Sequence, residues 1–368
     1  MRTVRRLFYV DIASAVVFVG IAFLALFFFI DFVDELRDVG KSGYTAAHAA
    51  AYSLLLAPGH LYELMPLAVL IGTIYALARL AQTSQYTILR TGGLGPGRAL
   101  WLLGSLALVF GAFTFVVGDY VSPFSERIAS QLRAGFSGSL KLGRSGAWIK
   151  EHAVTAEGER SYSINVGSAE RGTLLHDVRI FEFDGDGRLL TRTAAGQAIV
   201  GANGMWALSD VTVTRWVEAG IASSARQDRL ARLEWRSTLS PAVVAAAVLP
   251  VSTMSTLDLW RYIGHLDENE QAAQTQRIQF WNRALYPFAC LVMIGLALPF
   301  AYLHARSGGV SVKVFVGIML GVSFVLLNNV FRHLGLLGNW TPWMVAATPG
   351  AVYLVLSFVA FSWLVRFR

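Results

Sequence analysis

Six long apolar runs punctuate the chain, and a polar stretch from Asp119 to about Ile278 divides them into two groups of three. The first run, Ile12 to Ile30, is uncharged; at 1.5 Å per residue it reaches about 28 Å, the thickness of a hydrocarbon core. The other spans are expected at about 61–80, 99–118, 284–302, 314–331 and 343–365. The pattern predicts a membrane half over 1–118, an insert over 119–278 and a second membrane half over 279–368.

Inside the insert the apolar period shortens. Trp148–Lys150, Tyr162–Val166, Val178–Phe183, Leu189–Ile199, Trp206–Val217 and Leu230–Trp235 are rich in β-branched and aromatic residues and read as strands. Asp184-Gly185-Asp186-Gly187 and Asn203-Gly204 are hairpin turns, because Gly and Asn tolerate positive φ. Short strands without intervening helices predict a β-sandwich or jelly roll. Its apolar face either closes as a core or stays open to a lipid chain, and the pattern fits both. Ser240–Val251 contains Pro241 and Pro250 and reads as strand and linker, not a seventh span. Apolar residues at 259, 262, 263 and 266 predict a helix over Leu257–Leu266, and Gln271–Gln279 is expected to run helically into the fourth span.

Composition agrees with the spans. Of 368 residues, 55% are hydrophobic and 15% charged, against about 25% charged in soluble domains. The net charge of +7 does not indicate nucleic-acid binding, since many basic residues sit at the ends of apolar runs. With both termini placed inside, Arg2, Arg5, Arg6, Arg79, Arg90, Arg98, Arg306, Lys313, Arg366 and Arg368 all fall on the cytoplasmic side. The short outer segments then hold only Arg37, Lys41 and Arg332 as cations, which sends the insert to the far side of the membrane. A single cysteine, Cys290, excludes an intrachain disulfide framework.

No catalytic constellation is legible. Gly40-Lys41-Ser42 resembles the end of a phosphate-binding loop, but Glu35 stands where that loop requires glycine. Gly92-Gly93-Leu94-Gly95-Pro96-Gly97 lacks the dinucleotide-binding spacing and reads as a cytoplasmic turn. The histidines have no zinc-protease spacing, and there is no Gly-x-Ser-x-Gly elbow. More informative is the charged end of the first span, Asp31, Asp34, Glu35, Arg37 and Asp38, which is either a wet helix end or the polar rim of a cavity. Arg127 and Arg133 follow the third span as anchors or as phosphate-binding guanidiniums. Gln82–Arg90, stopped by Thr91-Gly92-Gly93, reads as a connecting loop or as a short helix that receives force from an ATPase.

Taken in order, Asp31-Phe32-Val33-Asp34-Glu35-Leu36, Leu80-Ala81-Gln82-Thr83-Ser84-Gln85 and Arg90-Thr91-Gly92-Gly93 resemble the LptF/LptG family of lipopolysaccharide-export ABC permeases, and its LptG branch most. Tyr120-Val121-Ser122-Pro123 with Arg133, Leu257 to Ile263, Pro287, Leu298-Pro299-Phe300 and Arg306-Ser307 continue the resemblance along essentially the whole chain. It implies six transmembrane helices (3+3) around a periplasmic β-jelly-roll domain, in the inner membrane of a Gram-negative bacterium with both termini cytoplasmic. The implied partners are an LptF-like second permease, an LptB-like ATPase dimer, an LptC-like bitopic protein and an LptA-like periplasmic bridge. The implied cargo is lipopolysaccharide, with membrane lipids around it.

The family resemblance also assigns residues. The first and fifth spans would form lateral gates; Asp34, Arg37 and Arg133 would line the cavity near the lipid head group. Ser84, Gln85 and Arg90 would sit in the ATPase groove, and no cofactor is expected in this chain, ATP being bound by the partner. Two departures stand out. Family members often carry Lys where this chain has Asp31, and Glu where it has Gln85. A force-transmitting membrane protein that regulates an outer enzyme, and a membrane enzyme, are the competing readings; the missing catalytic set disfavours the latter.

Overall fold

The computed structural model describes all residues except 1, 84, 86–95, 138–139, 142–146, 156–157, 171–173, 202–203, 220–221, 240–243, 245–253, 269–272, 303–308 and 367–368. The chain forms two compact units: a helical one (1–37, 49–125, 274–368) and a β-rich one (38–48, 126–273).

In chain order the helices begin with α1 (Arg2–Glu35), α2 (Ala46–Gln82) and α3 (Pro96–Val116). After a π turn at Val117–Val121, α4 (Ser122–Ser137) continues the same helical path. Farther on come α5 (Thr256–Glu268), α6 (Gln274–Ala297), the short α7 (Pro299–Tyr302), α8 (Val310–Leu337) and α9 (Pro342–Arg366). Among the described residues, six helices are long and apolar enough to cross a membrane. The second begins well before the expected residue 61, because Pro58 and Pro66 are accommodated inside α2. The third does not stop at 118. The Ser122 N–H reaches back to the Val117 carbonyl, and this widened turn makes room for Pro123, which has no N–H to give.

The helices meet through small residues, as packing without a hydrophobic gradient requires. A Cβ at Gly72 would lie 2.7 Å from the Val16 backbone, and one at Gly111 would lie 3.0 Å from the Pro287 carbonyl. Gly295 against Ser357 and Gly335 against Val345 make the corresponding contacts in the second half. Burial is uneven. Of the most apolar stretch of each helix, 72% is buried in α2 but only 6% in α1 and 22% in α8.

The β unit carries one antiparallel sheet: β1 (Leu140–Lys141), β2 (Ala147–Thr155), β3 (Gly158–Glu170), β4 (Leu174–Phe183), β5 (Leu189–Val200), β6 (Met205–Ala219) and β7 (Ala222–Arg236). Consecutive strands from β2 to β7 pair as a meander, and β1 extends β2's edge of β3. The strands expected from sequence all lie within these. At the β4–β5 turn, Asp184 Oδ1 accepts from the Asp186 and Arg188 N–H groups, with Gly187 at φ +78°. Ser240–Val251 falls almost wholly outside the described residues.

A crease crosses this sheet. The pairing skips Gly167 against Asp177, Asp177 against Gly196, Gly196 against Asp210 and Asp210 against Ala231. Asp177 and Asp210 hold φ of +53° and +54°, a left-handed bend that Asp tolerates. Glycine stands beside each, since a Cβ at Gly167 would come within 2.8 Å of the Asp177 Cβ. Buried residues change parity across the line: Leu175 then Val178 and Ile180; Trp206 and Leu208 then Val211 and Val213. The bent sheet wraps one core. Tyr162 of β3 meets Trp235 of β7 at 5.6 Å, and the Glu151 carboxylate of β2 accepts from Ser237 and Thr238 beyond β7.

Candidate functional site

The C-terminal end of α1 is acidic and has no basic residue in its last turn, which opposes the helix dipole. Each acid is therefore tied to something. Asp31 Oδ2 lies 2.7 Å from His60 Nε2 on α2, with both side chains about four-fifths buried. The Phe27 ring lies 4.8 Å from the imidazole. Asp34 pairs with Arg37 at 3.4 Å, and both are well exposed. Glu35 is buried.

In the β unit, Asp38 takes Lys41 at 2.7 Å and Arg133 at 3.2 Å. Arg133 is presented on α4 by an aromatic clamp one turn further on, where Phe136 contacts Tyr44 at 5.3 Å and His48 at 4.4 Å. Arg127 reaches Asp258 at 2.9 Å. Asp258 and Ser255 cap α5 reciprocally: the Asp258 N–H donates to Ser255 Oγ, and the Ser255 N–H donates to Asp258 Oδ2. Burial pushes the Asp258 carboxyl up, but the Ser255 hydrogen bonds and Arg127 outweigh it and hold the group below the usual carboxylate range.

A half-buried polar knot joins α2, α6 and the π turn after α3. The Tyr62 and Tyr286 rings lie 4.6 Å apart, the Tyr286 hydroxyl donates to the Glu63 carbonyl, and Arg283 donates to the Tyr62 hydroxyl. Gly118 leaves room for the Tyr62 ring, and buried Asp119 sits in the π turn beside it.

On α5, burial lowers the His265 imidazole pKa below its ordinary 6.5, with Glu268 and Glu151 opposing. The folded state thus prefers neutral His265 while the unfolded state takes up a proton below 6.5. Stability from this group is complete above that pH and is lost as pH falls toward the folded pKa. His265→Gln is expected to flatten the pH dependence of the full-length protein's stability below pH 6.5, read by thermal unfolding in detergent.

Thus the structure pairs Asp34 with Arg37 and Arg133 with Asp38. Gln85 is helical and exposed, while Ser84 and Arg90 lie outside the described residues. Sequence reading missed His60, Tyr62, Arg283 and Tyr286. No local pattern marks His60, which meets Asp31 only once α1 and α2 pack side by side.

This fold defines a multi-pass helical membrane protein with an antiparallel β domain inserted between its third and fourth spans. The sequence model of the family described as lipopolysaccharide export system permease LptF/LptG matches residues 6–363, and the chain belongs to that family. It is 27% identical over 336 residues to the lipopolysaccharide export system permease protein LptG of Escherichia coli K12, covering 89% of each chain. Against LptG of Haemophilus influenzae the identity is 25% over 330 residues, again with 89% of each covered.

Proposed function

We propose that this chain is a permease subunit that takes lipopolysaccharide from the inner membrane and passes it, through its β domain, to a periplasmic bridge. The carrying observation is the bare surface of α1 and α8, with 6% and 22% of their apolar stretches buried within the chain. Such faces need a cover, and here it is lipid, cargo and an LptF-like second permease. Both termini lie in the cytoplasm and the β domain in the periplasm, in keeping with the distribution of Lys and Arg. Arg133, Arg37 and Asp34 line the path of the anionic head group, with Asp38 holding the Arg133 guanidinium until phosphate displaces it.

The chain hydrolyses nothing itself. Removing one acyl chain from a bilayer costs on the order of 10 kcal/mol, at roughly 0.8 kcal/mol per CH₂, so an LptB-like ATPase dimer supplies the energy. It pushes on the segment carrying Ser84, Gln85 and Arg90. An LptC-like bitopic protein and an LptA-like bridge receive the lipid. Affinity purification of the tagged chain from native membranes tests this assembly. Recovery of an ABC ATPase, a second six-span permease and a single-span periplasmic protein is expected. Recovery with a cell-wall enzyme and no ATPase would replace export with regulation of that enzyme.

A further inference from the structure

The first span is fixed very differently at its two ends. Near its start, Phe8, Ile12, Ala15 and Val16 are buried, and Val16 presses against Gly72 so closely that no Cβ fits between them. From Ile21 to Asp34 no residue is buried. The face turned to α2 in this region steps through Phe27 and Asp31 at helical spacing, and both meet His60. A carboxylate and an imidazole brought together four-fifths out of water, on neighbouring helices, hold each other far more firmly than an exposed pair does.

We infer that Asp31–His60 is a latch: it holds the insert-side half of the first span against the second, while the Val16–Gly72 crossing serves as the fixed end. Opening the latch lets that half swing without disturbing the buried crossing. Asp31 is thereby a positioning residue turned to its own chain rather than to a ligand. That the swing admits or releases cargo rests on the export reading; the latch itself does not.

The test uses the full chain, purified with its associated subunits and held in lipid nanodiscs, with spin labels at Val33 and Leu54. Both sites are exposed, on α1 and α2. The native pair is expected to give a narrow distance distribution. His60→Ala or Asp31→Ala should broaden it, shifting the closed-to-open ratio by about ten- to a hundred-fold, the range of a partly buried charge-assisted hydrogen bond. The double variant should do no more than either single change, and the exchanged pair Asp31→His with His60→Asp should narrow the distribution again. Narrow distributions in the single variants, or failure of the exchange to restore order, would overturn the latch. Adenosine triphosphate-driven release of lipopolysaccharide from the same particles is read separately. Absence of release from the native protein would count against export and leave the distance result intact.

Discussion

Glu151→Ala is expected to destabilise the β domain severely. The carboxylate is 2% exposed and accepts three hydrogen bonds, from Ser237 Oγ at 2.6 Å, the Thr238 N–H at 2.6 Å and Thr238 Oγ1 at 2.8 Å. It thereby joins β2 to the segment leaving β7, the two ends of the meander. Truncation leaves those donors facing a hole and frees the closure. The cost is about 3–5 kcal/mol, given about 1.5–3 kcal/mol for each bond to a charged group and incomplete additivity. That is a large part of a domain's usual margin of about 5–15 kcal/mol. Limited proteolysis of the full-length protein should show cleavage within the insert at temperatures where the native chain resists. Equal resistance would mean that the sheet closes by its core alone.

Gly72→Val carries the second large effect. The new Cβ would stand 2.7 Å from the Val16 Cα and N as well as from its Cγ2. Backbone atoms cannot turn aside, so α1 must move off α2 and uncover Phe8 and Ile12. Overpacking of this kind costs about 1–3 kcal/mol or more. Trimming Val16 to Ala should not rescue the variant, because the clash includes the main chain. Gly321→Ala is the control: its Cβ would meet the terminal Cδ1 of Leu67, which can rotate away. The prediction is a marked fall in the detergent melting temperature for Gly72→Val and little change for Gly321→Ala; similar losses in both would refute it.

The apolar runs made the spans legible, since a stretch of that length has few other uses. Strand positions were equally open to reading, because β-branched and aromatic clusters alternate with Asp and Gly. The crease was not. Gly167, Asp177, Gly196 and Asp210 are scattered along the chain and align only once the strands pair. Nor was the third helix's passage through Ser122-Pro123, which depends on a π turn that reads locally as a helix stop. Arg133 was singled out for its charge, yet its hold on Asp38 depends on the loop after α1 folding back onto α4. The Asp31–His60 pair escaped for the same reason, with Pro58 masking the early start of α2.

The most direct test of lipid passage through the β domain compares two neighbouring positions on β7. Leu233 packs against the core side of the sheet, while Arg232 is exposed, and successive strand residues face opposite ways. A photo-crosslinking amino acid is placed at each in turn, in the assembled complex with lipopolysaccharide-containing membranes. Export predicts lipopolysaccharide adducts at 233 that rise on adding adenosine triphosphate, and few at 232. Adducts that are equal at both positions, or indifferent to the nucleotide, would contradict it.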